Sequence, residues 1–317
     1  MKIAVASRSF SKNTALRTEL ESRFISENAP TIVYNDAGLS LSGEALVAFL
    51  AGMDHAVIAL ERIDEELLAR SPDLRVIGKY GVGLNNIDLE ACARHGVKIG
   101  WTPGVNRISV AEMTISLMIA AQRRMFESNR RILDGAWGQL SGKQLSASTV
   151  GLIGFGNVGQ TVAKLLESFG ATVLIHDILD FARSESLGSA RQVSLQTLIT
   201  ESDVVSLHVP STSDTRRMVN ASFFAQMKRT AILVNTARGD IVEQLALKEA
   251  LETGQIAGAA IDVFEEEPPS DLEFLRLKNL IATSHMGGSS DEAILAMGKA
   301  AIDGLFDAKL ATRFMSH

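Results

Sequence analysis

The chain has 317 residues, 46% of them hydrophobic and 21% charged, a composition that excludes a disordered chain and suits two folded domains. Lysine and arginine total 31 and the acids 37, a formal net charge of −6 with no basic stripe, so nucleic acid is not an expected partner. One cysteine, Cys92, excludes an internal disulfide framework, and the six histidines show no ligand spacing, so no metal site is expected.

The start, M-K-I-A-V-A-S, reads as a strand rather than a secretory signal. Strands are expected at residues 3–6, 31–34, 56–59, 75–78 and 98–100, with helices at 15–25, 43–50, 64–69 and 89–94. Asp88 is placed to cap the last of these helices. One long helix is expected over residues 109–133, where Val110, Met113, Thr114, Leu117, Met118 and Ala121 recur at helical spacing. Its most apolar stretch, residues 108–121, is interrupted by Glu112 and falls short of the roughly 20 residues a membrane span needs. No membrane association is expected, and the cytoplasm is the expected compartment. Residues 135–148 read as a loop. Six further strands follow at 149–153, 171–176, 204–208, 231–235, 257–261 and 280–283, and a last helix at 289–306. Alternation of this kind predicts an α/β protein with doubly wound parallel sheets.

Residues 149–159 read T-V-G-L-I-G-F-G-N-V-G and carry G-x-G-x-x-G at Gly154, Gly156 and Gly159, between a strand and a helix at 160–169. The three glycines would serve a tight turn, close approach to a pyrophosphate, and helix–strand packing. The helix N-terminus adds free N–H donors for phosphate. Glycine spacing alone is a weak signal in a chain with 25 glycines. The next strand strengthens it by ending in Asp177, about 20 positions on, where an acid accepts from an adenosine ribose. Asp177 would repel a 2′-phosphate, and Arg183 is the nearest cation, so NAD is expected over NADP.

Three later segments also end strands: V-N-T-A-R-G with Arg238, I-D-V-F-E-E-E-P with an acidic cluster, and T-S-H-M-G-G with His285. Each alone reads as a surface charge, a solvated turn or a loop histidine. Beside a nicotinamide site they make chemical sense together. Guanidinium grips a carboxylate through two parallel hydrogen bonds. Histidine exchanges protons near neutral pH, and a carboxylate on its other ring nitrogen fixes the ring.

With these segments read, the chain resembles the D-isomer-specific 2-hydroxyacid dehydrogenases, nearest the phosphoglycerate dehydrogenase branch. The motifs are G-V-G-L-N-N-I-D (81–88), T-P-G-V-N (102–106), S-V-A-E (109–112), G-F-G-N-V-G, L-H-V-P (207–210), M-K-R-T-A-I-L-V-N-T-A-R-G-D (227–240), G-A-A-I-D-V-F-E-E-E-P and H-M-G-G. The resemblance implies that Arg238 binds the substrate carboxylate and polarises the 2-oxo group. It makes His285 the acid/base and Glu267, directly before Pro268, its paired carboxylate. Backbone N–H groups at Val82 and Gly83 would cradle the substrate carboxylate. Asn157 and Val158 would lie over the pyrophosphate, and Val209, Pro210, Thr215, Thr236 and Asp262 would make further cofactor contacts.

The resemblance also implies a Rossmann-type NAD domain (101–284) inserted in a flavodoxin-like substrate domain (1–100 with 285–317), a site in the cleft between them, and a homodimer formed through the NAD domain. The 109–133 helix and Trp137 are candidate parts of that interface. The implied activity is reversible hydride transfer between NAD and a small 2-hydroxy or 2-oxo acid. The acid is 3-phosphoglycerate, for which Lys79 and Arg8 are the candidate cations with Glu61 close by, or an unphosphorylated acid of the glyoxylate/hydroxypyruvate type. An NAD-sensing, non-enzymatic interaction protein and a formate-type oxidoreductase are remoter readings. Two features depart from the family pattern: Trp101 stands where relatives often carry a small or polar residue, and the chain ends at His317 without the appended sensing domain frequent in the phosphoglycerate branch.

Overall fold

The computed structural model describes residues 1–24 and 30–315. Residue 25, the expected end of the first helix, and residues 316–317 lie outside them. The chain divides into two compact units, residues 1–106 with 291–317, and residues 107–290. Each division falls six residues later than the sequence suggested.

The first unit is built on five parallel strands: β1 (Lys2–Val5), β2 (Thr31–Tyr34), β3 (His55–Ile58), β4 (Val76–Lys79) and β5 (Lys98–Gly100). Their order, β5-β4-β3-β1-β2, is the flavodoxin-like winding. Period-2 alternation sends Ile3 and Val5 into one apolar layer, with Phe10, Leu16, Leu20 and Ile302. Ala4 and Ala6 enter the other, with Leu46, Leu50 and Ile77. The helix Leu89–Arg94 begins at Asp88 as expected, its carboxylate accepting from the Ala91 N–H at 2.8 Å. The last helix, Asp291–Phe306, starts two residues later than read and lies against β4 and β5. Small residues permit this contact. A Cβ on Gly100 would stand 2.1 Å from the Gly304 carbonyl oxygen, and one on Gly78 would stand 2.4 Å from that of Ala301.

The second unit is a seven-stranded, wholly parallel sheet: β6 (Thr149–Ile153), β7 (Thr172–His176), β8 (Arg191–Gln192), β9 (Val204–Leu207), β10 (Ile232–Asn235), β11 (Gly258–Ile261) and β12 (Leu280–Ala282). The order β12-β11-β10-β9-β6-β7-β8 is the Rossmann winding with one further strand, and it reverses between β6 and β9. One face packs Val150, Leu152, Val173 and Val234 under Ile115, Met118, Val162 and Leu166. The other packs Leu174, Val205, Leu233 and Ile261 against Leu198, Phe224 and Leu247.

Three differences from the sequence reading have physical causes. The expected 109–133 helix is two helices, Arg107–Gln122 and Met125–Leu133, separated where Arg124 adopts φ +52°. The first is buried along one side. The second has no buried residue, and it begins where the loop at Gly142 lies against the Gln122 carbonyl, a Cβ there falling 2.2 Å from that oxygen. The glycine-loop helix starts at Asn157 rather than residue 160, with Gly156 at its N-cap. Both sheets gain a two-residue edge strand: β8, and Lys309–Leu310, which runs antiparallel to β5. Such short polar edges carry no apolar run to announce them. Among the described residues, no helix is long and apolar enough to cross a membrane.

Candidate active site

The chemistry-bearing residues of the second unit stand where its strands end, on the side where open parallel sheets hold ligands. Arg238 follows β10 at the start of a tight turn. Its carbonyl accepts from Asn235 Nδ2 at 2.8 Å, and its Nη1 donates to the Ala237 carbonyl at 2.6 Å. Burial pulls the guanidinium below its ordinary pKa, and the charges of Glu267 and Asp240 oppose that shift. Gly239 brings this turn against the loop after β11: a Cβ there would stand 1.9 Å from the Phe264 backbone.

The three glutamates of that loop have separate partners. Glu265 faces Arg217 Nε at 3.4 Å, and Glu266 accepts from Ser270 Oγ at 3.3 Å. Glu267 Oε1 accepts from the Phe264 N–H at 3.1 Å, and its Oε2 lies 2.7 Å from His285 Nδ1. Both members of the Glu267–His285 pair are partly open to solvent. Fixing Nδ1 on a carboxylate directs the remaining nitrogen, Nε2, outward for proton exchange.

His285 sits at φ +52°, a backbone conformation that needs outside support in a non-glycine residue. Asp262 supplies it. Its carbonyl accepts from the His285 N–H at 2.8 Å. Its buried carboxylate takes Thr283 Oγ1 at 2.6 Å, Met286 N–H at 2.9 Å and Gly287 N–H at 2.7 Å. Ser109 Oγ donates to the Gly287 carbonyl at 2.6 Å from the far side. These loop-holding roles of Asp262, Thr283 and Ser109 were missed in the sequence. An acid directly after an all-apolar strand, G-A-A-I-D, was the available signal.

The glycine loop lies at the ends of β6 and β7. Asp177 accepts from the Phe155 N–H at 2.6 Å and from the Leu179 N–H at 2.9 Å, so it ties the loop to β7 while keeping lone pairs for a ligand hydroxyl. Gly154, at φ +94°, touches the His208 backbone: a Cβ would stand 2.7 Å from it. A Cβ on Gly159 would stand 2.3 Å from the Gly154 carbonyl oxygen. Val209 packs beside Gly154. Thr215 Oγ1 donates to the Pro210 carbonyl at 2.6 Å and closes that loop on itself. Thr236 is buried with its hydroxyl 2.8 Å from Thr114 Oγ1. Asn157 is exposed and Val158 half-buried at the helix start. Val82 and Gly83 belong to the first unit, in the loop after β4. Among the described residues, no group of three or more His, Cys, Asp or Glu side chains is arranged to hold a metal ion.

Residues 115–287 match the model of the D-isomer specific 2-hydroxyacid dehydrogenase NAD-binding domain. The chain is 37% identical to a hydroxypyruvate reductase of Thermotoga maritima, over 84% of this chain and 88% of that protein. It is 38% identical to a D-3-phosphoglycerate dehydrogenase of Archaeoglobus fulgidus, over 81% of this chain but 50% of that one. Among solved structures it resembles a D-lactate dehydrogenase from Aquifex aeolicus complexed with NAD and lactic acid, with a TM-score of 0.82 and 26% identity over 96% of this chain and 93% of that chain. The chain belongs to the D-isomer specific 2-hydroxyacid dehydrogenase family. As a member of that family it is an NAD-dependent oxidoreductase acting on CH–OH donors.

One glycine tests how well its loop fits the dinucleotide. Gly154 and Gly159 are required by neighbouring protein atoms, but a Cβ on Gly156 would meet nothing within 4 Å, and its backbone is ordinary extended chain. The space beside Gly156 suits a pyrophosphate, for which the N–H groups of the helix Asn157–Phe169 would be the donors. Gly156→Ala should therefore fold with an unchanged melting temperature but bind NADH at least tenfold more weakly. Gly159→Ala should lower the melting temperature itself. Calorimetry with fluorescence titration of NADH separates the two outcomes. A Gly156→Ala protein that binds NADH normally would remove the fit.

His208, between β9 and the glycine loop, is neutral in this dehydrogenase because desolvation pushes its imidazole down to about 4. Its Nε2 lies 3.0 Å from Ser206 Oγ. The unfolded chain takes up this proton near pH 6.5, so stability is full above that value and declines as pH falls toward 4, by up to about 3 kcal/mol. His208→Gln should flatten the pH dependence of urea unfolding between pH 7 and 4.5. An unchanged slope would contradict this account.

Proposed function

We propose that this dehydrogenase reduces a small, unphosphorylated 2-oxo acid of the glyoxylate or hydroxypyruvate kind, reversibly and with NADH. The Glu267–His285 pair, with Arg238 on the adjoining turn, carries the reading. Bound NADH supplies the hydride for C2 of the acid. Arg238 grips the substrate carboxylate and stabilises charge on the 2-oxo oxygen. Protonated His285 gives its Nε2 proton to that oxygen, and in the reverse direction neutral His285 takes it from the hydroxyl. Glu267, on Nδ1, holds the ring and balances the imidazolium. Within the first unit, the N–H groups of Val82 and Gly83, in the loop after β4, are donors suited to a carboxylate.

The environment of the candidate cations supports an unphosphorylated substrate. The Lys79 side chain is buried, and its ammonium donates to the Ala59 carbonyl and, at 2.9 Å, to Asn86 Oδ1. Glu61 lies next to it in the chain fold, accepting from the Ala59 N–H at 2.7 Å. Arg8 is exposed and reaches Ser40 Oγ at 3.2 Å.

The test is NADH oxidation against glyoxylate, hydroxypyruvate, pyruvate, a branched 2-oxo acid and phosphohydroxypyruvate. The highest kcat/KM is expected for one of the first two. Preference for the phosphorylated acid would overturn the substrate choice, and silence with NADH bound would favour a binding protein over an enzyme.

The same reading includes a homodimer. The helix Met125–Leu133 and the loop beyond it leave Met125, Phe126, Ile132, Leu133 and Trp137 exposed, Trp137 at 88%. Exposed apolar patches of this kind mark association surfaces. Sedimentation should give a dimer that Leu133→Asp converts to monomer, and a native monomer would refute it.

A further inference from the structure

The loop after β4 has an anchor that no catalytic motif supplies. Gly81, at φ +132°, turns the chain away from the strand. Among the described residues, the N–H groups of Val82 and Gly83 have no hydrogen-bond partner, although both residues are half-buried. The Val82 carbonyl does have one: the indole Nε1–H of Trp101 donates to it at 3.0 Å. The Trp101 ring is seated in turn. It forms a T-shaped pair with Phe314, ring centres 5.5 Å apart and planes at 83°, and both rings pack on the apolar layer that includes Ile77 and Ile99.

We propose that Trp101 is a positioning residue for substrate recognition, acting through the Val82–Gly83 peptide; the proposal rests on the functional reading given above. A trans peptide is planar, with its C=O and N–H pointing in opposite directions. Fixing the Val82 carbonyl on the indole therefore aims the Gly83 N–H the other way, as a donor already oriented for the carboxylate. A hydrogen bond accepted at a carbonyl also polarises the amide and strengthens its N–H as a donor. Phe314 keeps the indole in place, so the turn Ala311–Phe314 tunes a recognition loop far from it in sequence. The anchor is made of first-unit residues, Val82, Trp101 and Phe314, so its loss should weaken substrate capture and leave the chemical step largely intact.

Two experiments test this. Trp101→Phe keeps a ring against Phe314 and removes only the N–H donor. For the 2-oxo acid with the highest kcat/KM, KM should rise about five- to tenfold, as expected for one lost hydrogen bond, with kcat within threefold and NADH affinity unchanged. An unchanged KM, or parallel losses of kcat and NADH binding, would overturn the proposal. Trp137→Phe leaves Trp101 as the sole tryptophan of the two. In that protein, oxamate added in the presence of NAD should shift the tryptophan emission, and no shift would overturn the proposal. If the unaltered protein turns over no 2-oxo acid, the functional reading fails, and the emission experiment still decides the role of Trp101.

Discussion

Replacing His285 with alanine is expected to lower turnover about 10²–10⁴-fold and to leave NADH affinity unchanged. The size follows from the role proposed for the imidazole. With Nδ1 held at 2.7 Å by Glu267, the neutral ring keeps its proton on Nδ1 and presents a bare Nε2 to a substrate hydroxyl. The protonated ring presents an Nε2–H to a carbonyl oxygen. Asp262 fixes the backbone of this residue and its two successors independently of the side chain, so the variant keeps its loop and loses only the proton carrier. Steady-state rates in both directions, with NADH titrations on the same samples, measure both halves of the expectation. Equal turnover in the variant would remove His285 from the reaction.

Arg238→Gln is expected to cost about 10²–10⁴ in kcat/KM, the equivalent of losing two charge-assisted hydrogen bonds at about 1.5–3 kcal/mol each. Arg238→Lys should recover only part of this, because a point charge cannot copy the planar fork. The guanidinium is partly desolvated, with Glu267 and Asp240 as its opposing charges. Its field is therefore less screened by water than that of a surface arginine, which favours a large effect. Kinetics with the best substrate of the panel decide the matter. An Arg238→Gln protein within threefold of the parent would sink the carboxylate-grip assignment.

Much of the fold was legible in the sequence because buried parallel strands are short apolar runs bounded by polar turns. The strands Thr31–Tyr34, Lys98–Gly100 and Thr149–Ile153 have the bounds their residues suggested. What escaped lacked an apolar signal or hid a break inside a continuous one. Arg191–Gln192 and Lys309–Leu310 are two-residue edges defined by what they pair with. The five-residue helix Arg8–Lys12 rests on a Ser7 cap and two buried side chains, Phe10 and Ser11, too little for a periodic pattern. The break at Arg124 has neither glycine nor proline. Beside it lies the loop at Gly142, against the Gln122 carbonyl, which only tertiary packing brings near.

The candidate site was legible by motif rather than by physics. Nothing in the spacing of Glu267 and His285 announces their contact, and the loop-holding work of Asp262 becomes visible only when the strand ends are side by side. Trp101 stood out as a departure from the family pattern, but the carbonyl it holds could not be read from the chain.

The helix Asp291–Phe306 lies on β4 and β5 through backbone contacts at Gly78, Gly100 and Gly304. The order of synthesis gives this a consequence. The second unit is one continuous stretch, residues 107–290, and has all its parts before the helix Asp291–Phe306 is made. The first unit is begun by residues made before the second, yet the face carrying Ile3, Val5 and Tyr80 waits for Ala301, Ile302 and Leu305, made after it. On the ribosome the second unit can therefore complete its fold first, while the strands before it hold an unfinished surface until the helix Asp291–Phe306 emerges.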